Sequence, residues 1–64
     1  MRQDSAPILL GGRTYVVVVD DHGTGTYWTG EVHLGSANGL TIHTLTAASM
    51  NEARQRCVDW IHSQ

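Results

Sequence analysis

The chain has 64 residues, 41% hydrophobic and 16% charged, with a net charge of −2 and four arginines as its whole basic complement. That length makes one domain, 1–64, near the lower limit for folding without staples, and the composition is too apolar for a disordered chain. The acid excess argues against direct nucleic-acid binding, which normally shows a basic stripe. The single Cys57 excludes an intrachain disulfide and any multi-cysteine zinc module.

Lone-cysteine usage points to a reducing, cytoplasmic setting. The start Met1-Arg2-Gln3-Asp4 lacks the apolar core of a signal peptide. The longest apolar runs, Ile8-Leu9-Leu10 and Tyr15 to Val19, fall far short of the ~20 residues of a membrane helix. No membrane partner is expected.

In chain order, the polar segment 1–6 reads as disordered. Pro7 opens a short edge strand at 8–10, and Gly11-Gly12 is the two-residue signal of a hairpin leading into a strand over 13–19. Thr14-Tyr15-Val16-Val17-Val18-Val19 is the longest β-branched run, and both of its faces are apolar. A polar loop, Asp20 to Gly25, precedes an alternating strand over 26–34, with Trp28, Gly30, Val32 and Leu34 on one side. The turn cluster 35–39 leads to a third main strand at 40–45. Ser49-Met50-Asn51-Glu52 has the form of a capping box, and Met50, Ala53, Cys57 and Ile61 recur at helical spacing after it. The expected fold is α+β: an antiparallel meander of three to four strands with one C-terminal helix packed on one face.

Pairing Val19 with Tyr27 and Leu34 with Leu40 gives the two faces of that sheet. The helix side then holds Val16, Val18, Trp28, Gly30, Val32, Leu34, Leu40 and Ile42. The outer side holds Tyr15, Val17, Val19, Tyr27, Thr29, Glu31, His33 and His43. An outer patch of Tyr15, Val17, Val19 and Tyr27 is large enough to mark an interface with a protein partner or a second copy, unless the N-terminal arm folds over it or the open sheet simply tolerates it. With the acidic tip Asp20 and Asp21, and with Glu31, these residues form the expected partner-binding set. The third main strand is also a candidate free edge, able to pair with another chain.

No catalytic unit, metal site or cofactor site is expected. Glu31, His33 and His43 would share the outer face and match a zinc or iron ligand set, but a cross-strand Glu–His pair on a wet surface explains them more simply. Gly23-Thr24-Gly25 leads into a strand and so is not a phosphate loop. Cys57 falls on the buried helix stripe and reads as a core residue.

Two resemblances add to this. Tyr15 through the polar hairpin to Ser49-Met50-Asn51-Glu52-Ala53, with a helix ending at Trp60-Ile61, resembles the N-terminal half of HicB-type antitoxin domains, which carry three strands followed by a "sxxEA" helix. The proline-rich segment that those domains carry before the third strand is missing. In size, mild acidity and helix-on-sheet build, the chain also resembles small phage and mobile-element inhibitors of the anti-CRISPR kind. That resemblance implies a non-catalytic inhibitor, in the host cytoplasm, that occludes a surface of a host protein or nucleic-acid-binding complex. The HicB resemblance implies an antitoxin or regulatory domain instead.

Overall fold

The β-branched run forms the middle of the central strand, and the rest of the chain is laid against it. The computed structural model describes residues 1–64, as β1 (Arg2–Asp4), β2 (Ile8–Leu10), β3 (Arg13–Asp20), β4 (Trp28–Leu34), β5 (Leu40–Ala47) and α1 (Met50–His62). All strands are antiparallel in one open sheet, with β1 and β2 sharing one side of β3 and β4 and β5 following on the other. The α+β class and the C-terminal helix are as the sequence predicts, with one more strand.

That extra strand is β1, in the segment expected to be disordered. It pairs Arg2 with Asp20 and Asp4 with Val18, while β2 pairs Ile8 with Tyr15 and Leu10 with Arg13. Between them the chain gains one residue and bulges at Ser5-Ala6-Pro7. Ser5 bridges the gap: its N–H donates to the Val17 carbonyl at 2.8 Å, and its Oγ accepts from the Val17 N–H at 2.9 Å. A buried strand cannot leave its backbone groups unpaired, and pairing them orders the arm. At the β2–β3 turn, Gly11 (φ 60°) and Gly12 (φ 78°) supply the positive dihedrals of a two-residue hairpin.

The register of β3 on β4 differs from the expected one. Val19 pairs with Gly30, Val17 with Val32 and Tyr15 with Leu34. The shift from a Val19–Tyr27 pairing is three residues, and an odd shift turns every side chain of one strand to the other face. Tyr15, Val17 and Val19 therefore lie under the helix, in one core with Val32, Ala47, Ala53, Cys57 and Ile61. Val16 and Val18 face the other way, opposite His33 and Glu31. The bulky ring thus takes the face that has a helix to cover it. The two small valines are covered by side chains of neighbouring strands, and all five residues from Tyr15 to Val19 are buried.

On β5 the expected Leu34–Leu40 pairing holds, but a bulge between Val32 and His33 leaves Ile42 as the extra residue and pairs Val32 with His43. His43, Leu45 and Ala47 consequently face the helix. Gly30 is where the helix comes closest: a Cβ there would sit 2.7 Å from Cys57 Sγ and 3.1 Å from the Ala53 carbonyl oxygen. Ser49 caps α1 as expected, its Oγ accepting from the Glu52 N–H at 3.2 Å, while the Glu52 carboxylate turns to Arg56 at 3.8 Å.

Two outcomes test this core. Gly30→Ala should lower stability by about 1–3 kcal/mol in urea unfolding through overpacking. Cys57→Ala removes the nearest clashing atom, so the double variant should lose less than the two single losses added together. Burial also pushes the Cys57 thiol from 9.0 to about 11. The stability gained by keeping it neutral is whole below pH 9 and falls as pH rises toward 11. Cys57→Ala should lack that share of the alkaline loss, read from urea midpoints across the window.

Candidate functional site

Away from the helix, the sheet carries a polar face built on Val16 and Val18. Arg2, Asp20, His22, Thr29 and Glu31 ring a shallow cavity of about 180 Å³ floored by Val18. His22, a non-glycine residue at φ 55°, turns its ring back over the strand so that Nε2 lies 2.8 Å from Thr29 Oγ1 and Nδ1 lies 3.7 Å from Asp20 Oδ2. The order hydroxyl, imidazole, carboxylate is that of a nucleophilic triad. The Thr29 hydroxyl, however, also reaches the Asp20 carbonyl at 3.3 Å. With the imidazole–carboxylate separation beyond hydrogen-bond length, the three read as a clasp holding the 21–27 loop to β4.

The acidic tip is engaged within the chain. Asp20 accepts from the His22 N–H at 3.0 Å, which is the main cause of its lowered pKa, with the charges of His22 and the N-terminus adding to it. Asp21 is lowered chiefly by its hydrogen bond from the Met1 ammonium, then by the Gly23 N–H at 3.0 Å. The Met1 ammonium is raised by the same contact.

Of the partner-binding set read from the sequence, Asp20 and Glu31 meet at this cavity, and Asp21 lies beside it. Tyr27 is exposed, as expected, with its ring 6.1 Å from His22. Tyr15, Val17 and Val19 are buried instead, because the shift of register by an odd number of residues places them in the core.

His33 carries more than its sequence position suggests. It is 7% exposed, with Nε2 2.9 Å from Glu31 Oε1 and Nδ1 3.1 Å from the Gly39 carbonyl oxygen. Both neighbours are acceptors, so the doubly protonated ring donates to both and the neutral ring to one. This pairing ties the 35–39 turn to β4. His43 cannot join them: the bulge at Ile42 sends it to the helix side, where it stacks on Trp60 at 4.4 Å and 4°. The Glu31, His33 and His43 ligand set therefore does not assemble, and no group of three or more His, Cys, Asp or Glu could hold a metal ion.

The outer strand β5 leaves backbone bonding capacity unmet. The Gly35 N–H donates to the Thr14 carbonyl at 2.8 Å, and Ser5 pairs with Val17 on the opposite side of β3. These two bonds fix the alternation across the sheet. Thr14, Val16 and Val18 bond toward β4, so Gly30 and Val32 of β4 bond toward β5, to Leu45 and His43. Thr44 and Thr46 then point their backbone groups away from the sheet. In agreement, the Thr46 carbonyl is taken by Arg56 Nη1 at 2.9 Å. Leu40–Ala47 contains no charged residue and no proline of its own, so between the bulge at Ile42 and the Arg56 guanidinium seated on Thr46, Thr44 lacks the usual guards of an open edge. The opposite edge has them, in two three-residue strands, a bulge, Pro7, Arg2 and Asp4. The sequence marks the third main strand as an edge; the phase of its hydrogen bonds needs the register.

Searches against family models, curated proteins and solved structures return no match for this chain. No helix is long and apolar enough to cross a membrane.

Replacing His33 by Ala should cost about 1–3 kcal/mol through the loss of its part-buried contacts with Glu31 and the Gly39 carbonyl. Thr41→Val, which removes only the hydroxyl 3.4 Å from the ring, should be close to neutral in the same urea titration.

Proposed function

We propose that the chain is a non-catalytic protein-binding module that docks by strand addition, with β5 as the receiving edge. One observation carries this reading: Thr44 directs its backbone N–H and carbonyl outward from an edge strand with no charged residue of its own, while the other edge is guarded. Main-chain bonds from an incoming strand supply affinity in such docking, and alternate side chains supply selectivity. Here those side chains are the exposed Thr44 and Thr46 on the polar face, and His43 and Leu45 beside α1.

The biological role proposed with it is occlusion of a partner protein's surface, as in the phage and mobile-element inhibitors of the anti-CRISPR kind. The acidic tip is a poor candidate for that contact, since Asp20 and Asp21 already serve the backbone and the Met1 ammonium. A HicB-like antitoxin or regulatory domain is the second reading. Three main strands followed by a Ser49-capped helix, with Ala53 packed over Gly30, favour it.

Thr44→Pro provides the test, because the Thr44 N–H makes no bond to β4 and its loss leaves the sheet intact. Tagged parent protein purified from its source cells should bring down a stoichiometric protein partner, and the proline variant should recover less than about a tenth as much. Equal recovery by the two would rule out β5 as the docking edge.

A further inference from the structure

Resting on the strand-addition reading, we infer that β5 also receives β5 of a second copy of this chain, antiparallel about a two-fold axis at Thr44. The pairing follows from which groups are free. An isologous edge contact needs a residue whose N–H and C=O both point outward, so that it can exchange both bonds with its own symmetry mate. Thr44 is such a residue, and it lies in the regular stretch between the Ile42 bulge and Thr46, whose carbonyl Arg56 already holds. Pairing Thr44 with itself places His43 opposite Leu45 of the second copy.

The chemistry of the edge is self-compatible. No residue of Leu40–Ala47 carries a fixed charge, and Arg56 sits at Thr46, two residues from the axis, so no like charges face each other directly at Thr44. Cross-strand Thr–Thr contacts are favourable, whereas like charges directly opposite are not. On the helix side, His43 and the half-buried Trp60 stacked on it stand at the rim of the edge. A second copy would bring its Leu45 against them and cover part of the ring pair. Two five-stranded sheets would then run on as one, each keeping its guarded β1/β2 edge outward.

Light scattering after size exclusion, across a wide concentration series, tests this with three proteins and a mixture. The parent should rise toward twice the 7.0 kDa of one chain as concentration increases. Thr44→Lys and Thr44→Glu each place like charges on the axis and should each dimerise roughly tenfold more weakly. Their equimolar mixture should regain the parent's behaviour. Thr44 is exposed, so both variants should keep the parent's circular dichroism. Recovery of the mixture guards against a folding defect in either one. A parent that stays at 7.0 kDa throughout overturns the inference. So do variants that dimerise as well as the parent. A monomeric parent leaves strand addition by a foreign chain standing, since that reading fails only through equal partner recovery by Thr44→Pro.

Discussion

The close approach of α1 to Gly30 is the constraint on which the rest of this structure depends. With no side chain at Gly30, Cys57 and Ala53 settle against the backbone of β4. That contact fixes which side of β4 is inside, and with it Val32 and Leu34. β3 then sets its register so that Tyr15, the largest residue of its run, shares that side with Val17 and Val19. A chain this short has one helix to cover one face. Putting the ring under it and the small valines on the other face removes the most apolar area from water that a single helix allows.

The second face is closed by polar side chains. Val16 and Val18 are buried cross-strand from His33 and Glu31, and every buried side-chain nitrogen or oxygen has a hydrogen-bond partner. Groups that look functional in a list of residues therefore have internal duties: His33 ties a turn, His22 clasps a loop, and Asp20 and Asp21 gather N–H donors. On β5 the outward backbone groups of Thr44 have no such duty.

The sequence shows much of this fold because its local signals agree with one another. Gly11-Gly12 makes the hairpin, Ser49 caps the helix, and the alternation of Trp28, Gly30, Val32 and Leu34 names the inner side of β4 correctly. The faces of β3 were not legible. A run that is apolar on both sides gives no period to choose by, and the choice passes to the 21–27 loop, whose length hid a three-residue shift. The bulge at Ile42 is likewise silent in sequence, and it alone separates His43 from Glu31 and His33. The expected interface of Tyr15, Val17 and Val19 fell with the register. The expectation that the third main strand could be a free edge rested only on strand order, and the five-stranded sheet leaves β5 as that edge.

Amide hydrogen exchange along β5 addresses the docking edge most directly. His43 and Leu45 bond to β4 and should exchange slowly at every protein concentration. The Thr44 amide, pointing outward, should exchange fast in dilute protein and slow markedly as concentration rises and the edge fills. A Thr44 amide equally protected at all concentrations would mean that it bonds within its own chain, and one that stays fast when partner or second copy is in excess would mean that β5 is not where this protein docks.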